Sequence, residues 1–357
     1  MKKTALIMAG GRGERFWPKS RISLPKQFLA LTDSDDTMIQ LTVKRILPLV
    51  EMEDIYIVTN ELYKDLILTQ LPDIPESNII CEPAARNTAP CIGLGAMYIS
   101  TKYEDATMFV LPSDHLIKNT DLFLDTLKNA SEVACSGSNL VTLGITPNYP
   151  ETGYGYIKYN TGSKYLSGYS VDRFVEKPNA ELAAQYLSEG NYLWNSGMFI
   201  WNISTILSTM KQLIPDTYEK LLKIKSSIGT DQEIETLHDV FVECKSESID
   251  YAVMEHASNI FTLPGNFGWD DVGSWLALER HNKSDEDNNI KKGNVISVDV
   301  KNCIIEGDRR LIAAIGVENL IVVDTEDSLL ICSKDKCNDI KTVLSEIKKT
   351  DNLHHLL

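Results

Sequence analysis

Short apolar runs alternate with helical patterns over the first 145 residues, and this alternation constrains the fold more than any other feature. The apolar runs predict buried strands at residues 5–9, 55–58, 78–81, 106–111 and 140–145. Between them, apolar residues recur at helical spacing over residues 38–50, 62–71, 88–103 and 122–135. The pattern is typical of an α/β fold with a doubly wound, mostly parallel sheet, which binds ligands beyond the carboxyl ends of its strands.

A glycine-rich loop follows the first strand directly. Its residues are Gly10, Gly11, Arg12, Gly13 and Arg15. Glycines let backbone N–H groups approach an anion, and the arginines, with Lys26 further along, supply positive charge. The P-loop pattern is absent, and the dinucleotide pattern fails because Phe16 occupies its third glycine position. We interpret the loop as a polyphosphate site of another kind; a turn with solvated basic residues is the alternative.

The overall charge limits the partners of the chain. Its 357 residues include 35 Lys and Arg against 50 Asp and Glu, which gives a net charge of −15. An acidic balance argues against a general nucleic-acid or anionic-membrane surface, so a basic loop is a local feature. The seven cysteines form no C-x-x-C pair and no apolar stretch is long enough for a bilayer. We therefore expect a cytoplasmic protein without nucleic-acid or membrane partners.

A carboxylate and a short polar segment follow the strand at residues 78–81. Glu82 could accept hydrogen bonds from two adjacent donors of a base, and guanine presents N1–H and N2–H₂ side by side. Arg86 would favour a phosphate or a ribose oxygen. Asn87 or Thr88 could instead cap the following helix, so capping with a turn proline is the alternative interpretation of this segment.

Two further carboxylate positions have the residue types of a magnesium site. Asp114 follows the strand at residues 106–111, where a Mg²⁺ ligand for nucleotide phosphates is common, although it could also be a helix N-cap. Asp270 and Asp271 lie among glycines and tryptophans, which makes a poor solvated loop because large aromatic side chains are rarely exposed. We interpret this second position as another metal carboxylate, with a surface turn as the alternative.

The pattern changes after Thr152. Residues 153–157 and 169–175 predict strands of a more antiparallel region, a strand follows at 198–201, and helical segments extend from 203 to 255. Tyrosine, tryptophan, asparagine, glutamate and glycine recur at the ends of these strands, as in TGYGYI, FVEKP and WNSGMF. These are the residue types of a sugar pocket, although each motif could also be a strand-end turn.

The last part of the chain predicts a separate small domain. Residues 282–289 are polar and charged and predict a linker. Short strands at regular spacing follow over residues 294–330, and a helix at 341–348 ends the pattern. Such strands favour a small β-solenoid or sandwich, so we predict domains at 1–281 and 290–357, the second a packing or oligomerisation module.

Taken in order, these clusters resemble those of the sugar-nucleotide pyrophosphorylases, and most closely the bacterial mannose-1-phosphate guanylyltransferases. The matching stretches are AGGRGERFWPKSR, PKQF, EPAARNTA, LPSDH, TGYGYI, FVEKP, WNSGMF and GWDDVGSW, which lie between residues 9 and 275. The resemblance implies a nucleotide-diphospho-sugar transferase core with a short left-handed β-helix at the C-terminus. Some relatives also carry an isomerase domain of cupin type; we expect a single activity here.

The resemblance also assigns roles to individual residues. It implies that the glycine loop, Arg12, Arg15 and Lys26 hold the GTP phosphates, and that Lys177 lies near the sugar phosphate. The base and ribose pocket would contain Glu82, Arg86, Asn87 and Thr88, and the sugar would contact Gly155, Glu176 and Asn195. The Mg²⁺ carboxylates would be Asp114 and Asp271, although Asp270 departs from the family pattern and leaves open which acid of that pair coordinates.

The implied reaction is the transfer of GMP from GTP to mannose 1-phosphate, which forms GDP-mannose and pyrophosphate by Mg²⁺-assisted in-line attack on the α-phosphorus. Arg15, Lys26 and Lys177 would be the catalytic cations, and we expect a homodimer. Alternatives are a heptose or glucose 1-phosphate, another nucleoside triphosphate, or a non-catalytic subunit that binds a nucleotide sugar for regulation.

Overall fold

The structure, a computed structural model, describes residues 1–11 and 13–357, so Arg12 of the predicted phosphate loop lies outside the described residues. The chain divides into two compact units. The first unit contains Met1–Gly10, Val43–Ser113 and Ile117–Trp269, and the second contains Gly11–Thr42, Asp114–Leu116 and Asp270–Leu357. The domains predicted at 1–281 and 290–357 follow the order of the chain and stay a prediction.

The first unit is built on a nine-stranded sheet. The strands are β1 (Lys2–Ala9), β2 (Ile55–Asn60), β3 (Ile79–Glu82), β4 (Ala106–Pro112), β6 (Leu140–Ile145), β7 (Tyr156–Tyr165), β8 (Gly168–Val175), β9 (Tyr192–Asn202) and β10 (Ile260–Gly265); β5 (Leu116–Ile117) lies outside the sheet. Their order is β3-β2-β1-β4-β9-β6-β10-β8-β7. The α/β fold class is confirmed, because strands and helices alternate as predicted.

The sheet is mixed: it is parallel among the strands of the first half of the chain and antiparallel where β7, β8 and β9 join it, as the change of pattern after Thr152 predicts. The strands β3, β2, β1 and β4 are parallel, and so are β6 and β10. The strand β9 lies between β4 and β6 and is antiparallel to both. A parallel neighbour needs a crossover connection, whereas β9 returns after the antiparallel hairpin of β7 and β8. Residues 153–155, predicted as strand, precede β7.

Helices pack against this sheet and bury its central strands. The helices of the first unit are α1 (Met38–Ile46, shared with the second unit), α2 (Lys64–Gln70), α3 (Thr88–Lys102), α4 (Thr120–Cys135), α5 (Ala180–Glu189), α6 (Ile203–Leu213), α7 (Pro215–Ser227) and α8 (Glu233–Phe241). A Cβ added at Gly95 of α3 would lie 2.4 Å from Leu6 Cδ1, so this helix approaches β1 closely through a glycine. Consecutive residues along β2 and β4 are buried, so both faces of these strands are covered. This burial explains the continuous apolar runs of the sequence.

Short parallel strands form the C-terminal part of the second unit. After β11 (Trp269–Asp270), they are β12 (Ile290–Lys292), β13 (Val295–Val298), β14 (Ile304–Glu306), β15 (Ile312–Ile315), β16 (Leu320–Asp324) and β17 (Leu329–Ser333). Parallel pairs join β12 to β14, β14 to β16, and β13 to β15, and β17 is antiparallel to β16. Asn302 and Asn319, one coil of 17 residues apart, both have positive φ, and the Asn302 amide donates to Asn319 at 2.6 Å. The predicted β-helix-like domain is confirmed.

The glycine-loop segment and the C-terminal end of the chain pack together within the second unit. The Trp17 indole donates to the Leu356 carbonyl at 2.8 Å, and the Trp275 indole donates to the Trp17 carbonyl at 3.2 Å. The closing helix α9 (Ile340–Lys348) contributes Leu344 to the same apolar core. None of the helices in residues 1–11 and 13–357 combines the length and apolarity that a bilayer crossing requires.

Candidate functional site

Five of the predicted site residues lie around one pocket of the second unit. The pocket measures about 400 Å³ and is lined by Gly13, Arg15, Lys26, Asp114, Asp271 and Lys341, among others. We call it the Lys26 pocket. The five predicted residues come from separate parts of the chain, residues 13–26, residue 114 and residue 271. The family resemblance implied that Lys26, Asp114 and Asp271 would meet.

Lys26 is held in place by its surroundings. It begins a short 3₁₀ turn, Lys26–Phe28, and only 5% of its surface is exposed. Its Nζ donates to Asp114 Oδ2 at 3.0 Å and to the Asp271 carbonyl at 2.5 Å. Gly13 makes this possible, because a Cβ there would lie 2.3 Å from Lys26 Cβ and because its φ of 59° suits glycine. The lysine is thus a preorganised cation.

The Lys26 pocket has further contacts that fix its backbone. The Gln27 amide donates to the Gly11 carbonyl at 3.0 Å, and Arg15 Nη1 donates to the Gly273 carbonyl at 3.1 Å. A Cβ at Gly273 would lie 2.9 Å from Asp271 Oδ2. Arg15 itself is exposed, so its guanidinium remains accessible to an anion.

Asp270 and Asp271 differ sharply in their surroundings. Asp270 is buried, and its carboxylate accepts from Arg280 at 2.5 and 3.0 Å, from His281 at 2.8 Å and from the Val272 N–H at 2.8 Å. Although burial raises the pKa of Asp270, these hydrogen bonds hold it far below its usual range. Its acceptor sites are therefore used within the protein. Asp271, the next residue, lines the Lys26 pocket.

Val272 carries backbone strain next to this carboxylate. Its φ is 48°, a left-handed conformation that is unfavourable for a β-branched residue. The side chain is fully buried and the N–H is bonded to Asp270, so the surrounding structure maintains the strain. Strained residues of this kind cluster at functional sites, and this one sets the direction of the chain just after Asp271.

Asp114 remains a carboxylate despite its surroundings. Burial alone raises its pKa, but the charges of Lys26 and His115 and the hydrogen bond from Lys26 outweigh that effect and hold the pKa below its usual value. About one third of the side chain is exposed. Asp114 can therefore offer an ionised oxygen to a cation at neutral pH, which is the chemistry that a Mg²⁺ ligand requires.

In the first unit, Glu82 is a buried carboxyl group with an unused acceptor. It ends β3, is 7% exposed, and its Oε1 has no hydrogen-bond partner among the described residues. Burial raises the pKa of Glu82 to about 8, against a smaller opposing effect of the Cys91 thiol. A Cβ at Gly10 would lie 3.8 Å from Glu82 Oε2, so the glycine keeps one side of the carboxyl group open. A buried acceptor without a partner fits a ligand that brings donors.

The residues after Glu82 have local structural roles. Asn87 caps α3, since its side chain accepts from the Thr88 N–H at 2.8 Å, which is the capping alternative of the sequence analysis. The Thr88 hydroxyl accepts from the Ile249 N–H at 2.8 Å. Arg86 Nη2 donates to the Val242 carbonyl, while its Nε is buried without a partner in the described residues. Their predicted contacts with a nucleotide stay predictions.

The predicted sugar-contacting residues lie close together in the first unit. Glu176 follows β8, and its carboxylate lies directly against Gly155, so a larger residue at position 155 would displace the Glu176 carboxylate. Lys177 forms an ion pair with Glu176 at 2.8 Å and has a φ of 44°, which is strained for a residue before proline. The Asn195 backbone N–H donates to the Gly155 carbonyl at 2.8 Å, which joins this motif to β9.

An aromatic cluster borders this group. The rings of Tyr149, Tyr154, Trp194 and Trp269 form a chain of edge contacts with centroid distances of 4.9, 5.3 and 5.2 Å. The aromatic wall expected for a sugar pocket is present next to Gly155 and Asn195 in the chain. Whether a sugar binds against it stays a prediction.

Sequence reasoning gave no role to Asp250, Gly273, Val272 or Lys341. Asp250 begins a π-helix, Asp250–Met254, and accepts from the Asn195 amide at 2.7 Å. π-Helical turns are frequent at functional sites, but a π-helix has no reliable sequence signal. Lys341 lies in the first turn of α9, where its spacing within an amphipathic helix looks like that of any surface lysine.

The chain offers oxygen ligands for a metal ion at two places. Among the described residues, one group of three potential ligands, Glu51, Glu53 and Asp54, is close enough to bind an ion together. Asp54, however, is fully buried and already paired with Lys2 and Lys102. The two carboxylates of the Lys26 pocket, Asp114 and Asp271, are a better fit to a Mg²⁺ ion that shares phosphate oxygens of a substrate.

Comparison with protein families matches almost the whole chain. Residues 4–288 match the family described as nucleotidyl transferase, and residues 293–347 match the family described as MannoseP isomerase/GMP-like beta-helix domain. A mannose-1-phosphate guanylyltransferase of Klebsiella pneumoniae is 40% identical over 350 residues, which cover 96% of this chain and 74% of that protein.

Solved structures are also similar. One described as mannose-1-phosphate geranyltransferase from Thermus thermophilus has a TM-score of 0.88 at 32% identity, over 98% of this chain and 100% of that one. Another, described as mannose-6-phosphate isomerase from Helicobacter pylori, has a TM-score of 0.61 at 27% identity, over 76% of this chain and 100% of that one.

Proposed function

We infer that this chain, which belongs to the nucleotidyl transferase family and within it to the mannose-1-phosphate guanylyltransferases, transfers GMP from GTP to mannose 1-phosphate. The products are GDP-mannose and pyrophosphate. The observation that carries the proposal is the Lys26 pocket, where a buried lysine, an accessible arginine and two carboxylates meet within a family of nucleotidyl transferases.

The proposed chemistry is an in-line displacement at the α-phosphorus. A phosphate oxygen of mannose 1-phosphate forms the new P–O bond while the bond between the α-phosphorus and the bridging oxygen breaks, and pyrophosphate leaves with that electron pair. The nucleophile is already ionised at neutral pH, so no side chain needs to accept a proton. The protein must instead bring two anions together and hold them in line.

The cations of the second unit suit the triphosphate. Lys26 is buried and fixed by two hydrogen bonds, so it can stabilise developing charge without reorganisation. Arg15 is exposed at the same pocket and can bind phosphate oxygens as a planar fork. Gly10, Gly11 and Gly13 have no side chain, so their backbone N–H groups are open to phosphate oxygens. We propose that Arg12, like Arg15, binds phosphate oxygens.

Nucleotidyl transferases generally use a divalent metal ion, and we propose Mg²⁺ for this chain. Asp114 and Asp271 would hold it, since both line the Lys26 pocket and Asp270 is engaged by Arg280 and His281. When bound, the ion would supply positive charge to the reacting phosphates.

The first unit suits the base and the sugar. The carboxyl group of Glu82, whose Oε1 has no partner among the described residues, can accept from N1–H and N2–H₂ of guanine, with Arg86, Asn87 and Thr88 nearby in the chain. Glu176 and Asn195 offer acceptors and donors to sugar hydroxyls beside the bare Gly155, and Lys177 offers a cation to the sugar phosphate.

Binding of guanine should release a proton from Glu82. At pH 7 a carboxyl group with a pKa of about 8 is mostly protonated, whereas a guanine edge with two donors favours the ionised form. GTP affinity should therefore rise with pH between about 6 and 8, by up to roughly tenfold per unit. Calorimetry in two buffers of different ionisation enthalpy measures the protons released.

Glu82→Gln is the control for this linkage, because glutamine cannot titrate while the GTP phosphates still can. The variant should release fewer protons than the native chain. It should also bind GTP more weakly, because the NH₂ group of glutamine would lie against the N–H donors of guanine. Equal proton release by the two proteins would contradict the assignment of Glu82.

Substrate choice is tested by a grid of reactions. Pyrophosphate release is measured with each of the four nucleoside triphosphates against mannose, glucose and heptose 1-phosphates, and we expect the highest kcat/KM with GTP and mannose 1-phosphate. Greater efficiency with another pair would replace the substrate assignment. Nucleotide-sugar binding without pyrophosphate release would favour the regulatory subunit, and conversion of mannose 6-phosphate would indicate an isomerase.

The predicted homodimer is proposed here on sequence grounds alone. Sedimentation equilibrium at micromolar concentrations measures the mass directly, and a value near 40.0 kDa, the mass of one chain, would contradict it.

A further inference from the structure

The amide of Asn195 is oriented by two hydrogen bonds. Its Nδ2 donates to Asp250 Oδ1 at 2.7 Å, and its Oδ1 accepts from the Gly197 N–H at 3.2 Å. Because the two ends of an amide differ chemically, these bonds determine which end presents its remaining donor and which its remaining acceptor. Asp250 therefore fixes the orientation of the Asn195 amide.

Asp250 is itself held by the backbone around it. The preceding residue, Ile249, donates its N–H to the Thr88 hydroxyl at 2.8 Å, and the Ala89 N–H donates to the Glu247 carbonyl at 3.1 Å. The segment from Glu247 to Asp250 is thus fastened to the start of α3. A side chain at the beginning of an irregular, anchored turn has little freedom to move.

The position of this carboxylate is costly, which argues against a passive role. Burial raises the pKa of Asp250 to about 6, and the negative charge of Glu176 adds to the effect, while the Asn195 amide and Lys177 oppose it. A hydrophobic or neutral residue would avoid this cost. Perturbed carboxyl groups of this kind concentrate at functional sites, and here the geometry shows which neighbour benefits.

We propose that Asp250 is a positioning residue that orients the Asn195 amide toward the sugar, and so sets the affinity for the sugar 1-phosphate and the preference between mannose and glucose. The inference rests on the proposed function and deepens it. Asp250 acts through Asn195 rather than on the reacting phosphates, so its loss should change sugar binding far more than turnover.

The test compares Asp250→Ala with Asp250→Asn. The alanine variant removes the acceptor, and we expect KM for mannose 1-phosphate to rise roughly tenfold, with a smaller preference over glucose 1-phosphate, while KM for GTP stays nearly unchanged. The asparagine variant keeps an acceptor for Asn195 and should stay close to the native values. If the alanine variant does not fold, Asp250→Ser takes its place, because the shorter serine side chain cannot reach the Asn195 amide.

Asp105→Ala is the matched control. Asp105 belongs to the same unit and accepts from the Ser204 N–H at 3.1 Å and from its hydroxyl at 2.7 Å, at the start of α6. Its loss should lower thermal stability and leave both KM values unchanged. A similar rise in KM for Asp105→Ala and Asp250→Ala would mean general loosening and would overturn the proposal.

A double-mutant cycle adds a sharper outcome. In an Asn195→Ala background, Asp250→Ala should have little further effect on KM for the sugar phosphate, because its partner is gone. Independent, additive effects would overturn the proposal, and so would an equal loss in Asp250→Asn.

Failure of the proposed function is distinguishable from failure of this inference. If the native chain makes no GDP-mannose, the proposed function fails, whereas calorimetric binding of mannose 1-phosphate to the variants still tests Asp250. If the native chain is active and Asp250→Ala keeps its sugar affinity, only the inference fails.

Discussion

Lys26→Ala should lower kcat about 10²–10³-fold, which is the typical loss when one preorganised contact to developing charge is removed. The buried ammonium group is fixed by Asp114 and the Asp271 carbonyl, so water that enters in its place would have to reorient during the reaction. Steady-state pyrophosphate release measures the loss, and circular dichroism of the aromatic side chains shows whether the variant is folded.

Lys19→Ala is the control for this variant. Lys19 lies in the same unit, pairs with Glu306 at 2.5 Å and is not among the residues that line the Lys26 pocket. Its turnover should stay within roughly twofold of the native value, because partly exposed ion pairs contribute little. A folded Lys26→Ala protein with near-native kcat would show that the lysine only neutralises Asp114.

Asp271→Ala should also lower kcat by about 10²-fold or more, because it removes one of the two carboxylates proposed for Mg²⁺. The side chain lines the Lys26 pocket, and circular dichroism of the aromatic side chains shows whether the variant is folded. A Mg²⁺ titration of the reaction rate should show a higher metal requirement than in the native chain.

Asp270→Asn provides the opposite pattern. Its carboxylate is held by Arg280, His281 and the Val272 N–H, so the loss of charge should lower the free energy of unfolding by about 2 kcal/mol, while the protein that remains folded keeps most of its turnover. If Asp270→Asn loses turnover and Asp271→Ala does not, the metal assignment is reversed.

The strand ends of the first half of the chain were predictable because their signals are local. The apolar runs that became β1, β3 and β4 are short and uniform. The candidate residue Glu82 ends β3, and Asp114 follows β4 by two positions. The grouping of Lys26 with Asp114 and Asp271 came from the family resemblance, which left the choice between the two adjacent acids open.

Other features depend on contacts that no local pattern encodes. The strand β9 is antiparallel to β4 and β6, which are both far from it in sequence, so no local pattern could indicate this pairing. The left-handed conformation of Val272 contradicts the preference of valine and persists only because Asp270 and the buried core hold it. Asp250 lies in a helical stretch 55 residues after its partner Asn195, so its role follows from the folded chain alone.

The composition of the second unit has a consequence for synthesis on the ribosome. Lys26, Asp114 and Asp271 emerge in that order. The unit that contains them also includes the segment up to Leu357, in which the Leu356 carbonyl accepts from the Trp17 indole. Nascent chains that have not passed Asp271 hold only part of the Lys26 pocket, however well their sheet has folded. Synthesis from the N-terminus therefore delays the complete Lys26 pocket until residues up to Leu357 have been made, so shorter nascent chains would compete little for nucleoside triphosphates.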